Sequence, residues 1–277
     1  MADQKKAGGV DLATFFGLLV GLGAILGGLV LEGGKIGDVA QITAGMIVLG
    51  GTLGAVMVAT PQATLLAALK RLGGLVKDSS PSMEAQLEEI LQFATRARRA
   101  GLLSLEDSAL EVQDPFLRKA LTLAVDGSDL TEIRGMLELE IDLEESRAEA
   151  AAKVLEGAGG YAPTIGIIGA VMGLIQVMKN LADIKEVGHG IAVAFVATVY
   201  GVGLSNLFFL PAAQKLKAKA RAETHRKELI VEGISGIVEG LNPKLLRSKL
   251  EPFLHHSRPS KVSPEPAAVG QPVADEA

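Results

Sequence analysis

The chain has 277 residues, 48% of them hydrophobic and 21% charged, with a formal net charge of −5 and a mean hydropathy of +0.34. With no Cys and no Trp, disulfide scaffolds, thiolate metal sites, Cys nucleophiles and dithiol redox pairs are excluded together. The acidic balance and 4% aromatic content exclude a basic nucleic-acid footprint with stacking platforms, and His189, His225, His255 and His256 have no metal-ligand spacing.

From the N-terminus, MADQKK resembles the charged start of a signal peptide. The apolar run Leu12 to Leu31 is nevertheless long enough to span a bilayer, so it is read as a retained anchor. Three more segments lack ionisable side chains over a comparable length: Val39 to Thr60, Gly157 to Met178 and Ile191 to Gln214. The linkers EGGKIGD and KNLADIKEVGHG are short, so the four spans form two helical hairpins. Lys and Arg number 2 before the first span, 1 in the first turn, 11 between Pro61 and Glu156, 2 in the second turn and 11 after Gln214. The positive-inside bias therefore places both termini and the middle block in the cytoplasm.

Small residues stand four apart at Gly17 and Gly21, Gly23 and Gly27, Gly50 and Gly54, and Gly169 and Gly173. Such faces bring helix backbones together in lipid, either within one subunit or between subunits. The block 61–156 reads as a helical domain: Ser80 before Pro81 is a start signal, and Leu87, Ile90, Leu91 and Ala94 share a face. Ser104 with Asp107, and Asp129 with Glu132, read as capping pairs. Charged helices are expected over 215–250, and 251–277, rich in Pro and polar residues, as a disordered tail. The fold class is all-α, a polytopic membrane protein of four transmembrane helices with a helical cytoplasmic domain.

An ion path through hydrocarbon needs polar or ionisable groups, and none of the four spans holds Asp, Glu, Lys, Arg or His. A titrating carboxylate would have to come from another polypeptide. This chain offers only a lining: Thr164, Gln176, Thr198, Tyr200, Ser205 and Asn206. The bland alternative is that these groups bond back to their own helices. GGK at 33–35 lacks phosphate-loop spacing, and no Ser, His and acid arrangement suggests a hydrolase. No enzyme and no cofactor site is expected.

YAPTIGIIGAVMGLIQVMKNL from Tyr161 and GHGIAVAFVATVYGVGLSNLFFLPAAQKL from Gly188 closely resemble the MotA/PomA family of flagellar stator subunits. So do FLRKALTLAVDGSDLTEIRGMLELEI and EGISGIVEGLNPKLLRSKL. The likeness runs from about residue 10 to 254. The related ExbB and TolQ energisers usually have three spans, and the N-terminal hairpin with RRAGLLSLE favours the flagellar branch. The resemblance implies five subunits around two copies of a MotB-type partner whose membrane Asp carries the ion, in the bacterial inner membrane. It further implies that the third and fourth spans face this partner.

Carried over by motif, Arg98 and Glu106, with Arg99 as a neighbour able to substitute, match the charges that engage the rotor protein FliG. Glu106 is equally a first-turn acid behind Ser104, and Arg98 a solvated charge. Pro163 and Pro211 match two prolines at the cytoplasmic ends of the inner helices, where they serve as hinges or simply punctuate helix ends. Sodium needs several oxygen ligands, whereas a proton needs a carboxylate and a hydrogen-bonded path. Sodium-type relatives present Thr where this chain has Ala170, and paired Thr where it has Ala197 and Thr198. The expected ion is therefore H+, with Na+ the alternative that VYGV around Tyr200 favours.

Overall fold

The computed structural model describes residues 9–10, 12–75, 77–78 and 82–256. The described residues are helical apart from short loops and a two-residue antiparallel ladder pairing Gly9 with Asp78 and Val10 with Lys77.

The first span is α1, Leu12–Leu31; apolar side chains such as Phe16 and Val20 stand exposed, as they must to meet lipid. A short α2, Ile36–Val39, closes on itself through the Asp38 carboxylate, which accepts from the Lys35 amide at 2.8 Å. The second span starts later than the hydropathy suggests, because the chain is extended at Gln41. It runs through α3 (Ile42–Gly45), a π turn (Met46–Gly50) and α4 (Gly51–Ala59). Past Pro61, α5 (Gln62–Gly74) packs Leu65, Ala68 and Leu72 inward.

The extramembrane lobe contributes α6 (Met83–Ala100), a 3-10 turn (Leu102–Leu105), α7 (Glu106–Glu111) and α8 (Pro115–Val125) before the third span is reached. That span is not a separate element. It is the second half of α9, Leu130–Lys179, an unbroken helix of 50 residues and about 75 Å at 1.5 Å per residue. The fourth is likewise the first part of a rod of 55 residues, Ile184–Val238. That rod comprises α10 (Ile184–Leu204), a π turn (Ser205–Phe209) and α11 (Leu210–Val238). Hydropathy locates where a helix meets hydrocarbon, but a helix that satisfies its own backbone has no reason to stop at that boundary. For the same reason most of the expected second loop is wound into α10, whose N-cap is Asp183. The last helix is α12, Pro243–His256.

Leu87, Ile90, Leu91 and Ala94 of α6 do share a buried face. They pack with Leu117, Leu121, Ile133, Leu137, Ile230, Ile234, Leu246 and Leu250 in one core. Ser80 and Pro81 lie outside the described residues; the cap of α6 is Ser82, which accepts from the Ala85 amide. Asp129 caps α9 as expected. Ser104 does not cap α7: it sits inside the 3-10 turn, donating to the Gly101 carbonyl at 2.6 Å. Residues 251–256, expected with the tail, extend α12. The Phe253 ring lies on His225 at 5.2 Å, and His225 Nε2 donates to the Phe253 carbonyl. The rest of the tail lies outside the described residues.

Candidate functional site

The inner hairpin of α9 and α10 is a seam of bare backbone. A Cβ on Gly166 would lie 2.9 Å from the Ala197 carbonyl, one on Gly173 2.7 Å from the Gly190 carbonyl, and one on Gly201 2.5 Å from the Ala162 carbonyl. Glycine is required at each crossing. The Gly169 and Gly173 pair therefore packs within the subunit. By contrast, a Cβ added at Gly17, Gly23, Gly27, Gly50 or Gly54 would meet nothing within 4 Å in the single chain, which leaves these faces open to lipid or a neighbour.

The ion-path candidates divide by this seam. Ala197 is fully buried and would meet a Cβ on Gly169 at 2.8 Å, so its methyl fills the contact between α9 and α10. Ala170 and Thr198 are half-buried. Thr198 donates to its own helix at the Ala194 carbonyl (3.1 Å), Thr164 to Tyr161 (2.8 Å), and the exposed Asn206 amide to Val202 (2.9 Å). Tyr200 does something else: its hydroxyl donates to the Val39 carbonyl at 2.6 Å and accepts from the Gln41 amide. It fastens the extended entry of the second span to the fourth.

Pro163 is deep inside α9 and not in a first turn, so the punctuation reading fails for it. Pro211 is exposed and stands in the first turn of α11, one residue past the π turn; the widened turn accommodates a ring that cannot donate to the preceding turn. Both prolines thus sit within continuous helical rods, where sequence alone places them at helix ends. Ser205, one of six polar lining candidates, is the hydroxyl that bridges the end of α10 to α9.

At the other end of the molecule, Arg98 and Arg99 close the last turn of α6 and Glu106 opens α7; all three are exposed. Between them Gly101, at φ 83°, makes the turn that an L side chain disfavours. None of the three forms an ion pair among the described residues. Arg96, exposed like them, is partnered instead: it donates to Ser108 Oγ and so ties α6 to α7. Leu103 and Leu110 stand exposed on the same turn and helix, apolar surface that charge counting overlooks.

The membrane rods and this face are joined by a buried polar knot. Arg226 of α11, 6% exposed, donates to Gln86 Oε1 of α6 at 3.0 Å, to the Asp114 carboxylate and to Glu223 at 2.7 Å. Burial works against the guanidinium's charge, but Glu223 and then Asp114 outweigh it and raise its pKa. Asp114 also caps α8 through the Phe116 and Leu117 amides. Lys227 bonds Glu144 of α9 and lies over the Phe116 ring. By composition this stretch is a charged surface helix. The signal that composition hides is Leu229, Ile230, Gly233, Ile234 and Ile237, an apolar stripe at helical spacing that forces the helix indoors.

A sequence profile of the MotA/TolQ/ExbB proton channel family matches residues 108–229, and one of the motility protein A N-terminal region matches residues 15–101. Motility protein A of Bacillus subtilis is 35% identical over 246 residues, 88% of this chain and 91% of the relative. Chemotaxis protein PomA of Vibrio alginolyticus is 33% identical over 249 residues, 90% of this chain and 97% of the relative. The solved structure of C. jejuni MotAB superposes with a TM-score of 0.85 at 34% identity, covering 90% of this chain and 98% of that one. The flagellar MotAB stator complex from Bacillus subtilis gives a TM-score of 0.82 at 35% identity, covering 88% and 96%. With four apolar helices long enough to cross a membrane and relatives matching nearly end to end, this chain belongs to the MotA/TolQ/ExbB proton channel family, in its motility protein A branch.

Proposed function

We propose that this chain is the channel subunit of a flagellar stator in the bacterial inner membrane, with both termini cytoplasmic, coupling proton flow to torque on the rotor. The observation that carries the reading is a pairing of presence and absence. The inner hairpin is a close-packed, small-residue rod pair continuous with the extramembrane lobe, yet no span holds an ionisable side chain. A subunit built this way scaffolds an ion path whose carboxylate comes from outside it. That carboxylate is the membrane Asp of a one-span MotB-type partner, enclosed by a ring of five copies of this chain around two of the partner.

Protonation of that Asp removes a charge from one subunit's face and biases its contact with the next, a local electrostatic event with a global readout. Movement of α9 and of the α10–α11 rod reaches Arg98, Arg99 and Glu106 through the Arg226 knot, and these charges engage the rotor protein FliG. The scarcity of hydroxyls at Ala170 and Ala197 supports the proton over sodium, with Thr198 as a group on the path.

Proton flux in vesicles tests the reading. The chain with its one-span partner conducts, and the chain alone does not; robust gradient-driven flux through the chain alone overturns it. Swimming speed independent of sodium and abolished by a protonophore identifies the ion. Speed that follows sodium and survives the protonophore makes it a sodium stator.

A further inference from the structure

Pro163 has no amide hydrogen, so the Gly159 carbonyl one turn earlier in α9 lacks its regular i+4 donor. In a dry interior such an orphan is costly. The Ser205 hydroxyl takes the vacant place, donating to the Gly159 carbonyl at 2.7 Å from the neighbouring rod; Ser205 is 3% exposed. The ordinary fate of a Ser hydroxyl in a membrane helix is a carbonyl of its own preceding turn, the arrangement Thr164 and Thr198 adopt. Ser205 departs from it at the residue where α10 gives way to the π turn that leads to Pro211. Glycine makes the approach possible: a Cβ on Gly159 would lie 2.6 Å from Leu210 Cδ2, and one on Gly201 3.2 Å from the Pro163 Cα.

We propose that Ser205 is a positioning residue for the stator stroke, a removable donor that sets the bend at Pro163. With its hydroxyl on Gly159 the two inner rods are locked at their irregular points. When the hydroxyl turns to its own helix at the Gly201 carbonyl, α9 is released to bend at Pro163. This rests on the stator reading above.

The test is a double-mutant cycle on the full-length chain in lipid nanodiscs, using Ser205→Ala, Pro163→Ala and the pair. In the native background Ser205→Ala lowers the melting temperature by about 2–4 °C. In the Pro163→Ala background the new amide satisfies Gly159, and the same change shifts it by less than about 1 °C. Equal shifts in both backgrounds overturn the proposed bond. The second readout is torque at high load, with stator number counted by a fluorescent tag. Ser205→Ala loses torque at unchanged number and Ser205→Thr, which keeps the hydroxyl, regains it. Native torque from Ser205→Ala overturns the positioning role even if the thermal cycle shows coupling. Unimpaired swimming after deletion of the gene overturns the stator reading instead, and leaves the thermal result standing.

Discussion

The Tyr200 hydroxyl and the Val39 carbonyl are 2.6 Å apart, a hydrogen bond across 161 residues of sequence that holds the extended entry of the second span against the fourth. Tyr200→Phe removes the donor for Val39 and the acceptor for the Gln41 amide together. At an unsatisfied pair of this kind the cost is about 1–3 kcal/mol. Amide hydrogen exchange over residues 39–45 speeds up, while the sodium dependence of swimming stays as in the parent. Unchanged exchange there would show that the bond contributes nothing.

On the proposed rotor face, Arg98→Glu with Arg99→Glu, and separately Glu106→Lys, are expected to abolish or strongly reduce swimming without altering membrane levels of the subunit. Exposed charges of this kind add little to folding stability, so the loss is one of engagement. Normal swimming from the combined variant makes them ordinary surface residues.

The proposed orientation, with both termini cytoplasmic, rests on the distribution of Lys and Arg. In the Cys-free chain, Lys185→Cys in intact cells reacts with an impermeant thiol reagent and Ser128→Cys does not. The reverse pattern inverts the topology.

Glu89 on α6 carries a carboxyl whose pKa is raised above the usual 4.5, by burial first and by the Asp114 charge second, while the Gln86 hydrogen bond pulls it back down. The folded state therefore holds its proton more tightly than the unfolded chain. Stability falls as pH rises from 4.5 through the raised value, and the cost of the charge is fully present above it. Glu89→Gln, which still offers an acceptor to Gln86, is more stable than the parent at neutral pH, and the gain fades on acidification below 4.5. Thermal melts across pH measure this. A gain that persists at low pH assigns it to packing.

Breaking the buried knot by Arg226→Ala strands Asp114 and Gln86 indoors, at a cost of about 3–5 kcal/mol. The extramembrane lobe becomes sensitive to limited proteolysis while α1 stays inserted. Resistance equal to the parent's would mean that the knot is not what joins α11 to α6.

Four spans and the missing carboxylate were legible in the sequence, because transfer into lipid is close to additive over side chains and each window carries its own answer; the packing of the first span was not, for α1 lies chiefly against the π turn at Ser205–Phe209 and not against the second span. The amphipathic face of α6 and the Asp129 cap were legible for the same local reason. Ser104 misled because a Ser three residues before an acid is a cap only if the backbone enters a helix there, and Gly101 starts a 3-10 turn instead. Tertiary structure alone decided the rest. The Gly159 to Ser205 bond spans 46 residues and the Gln86 to Arg226 bond 140, and no local pattern tells a hydroxyl whether its acceptor lies on its own helix or the next. Where Pro163 leaves a carbonyl bare and glycines let two backbones touch, the choice is made by which rods pack together, a property of the folded molecule and not of any window of its sequence.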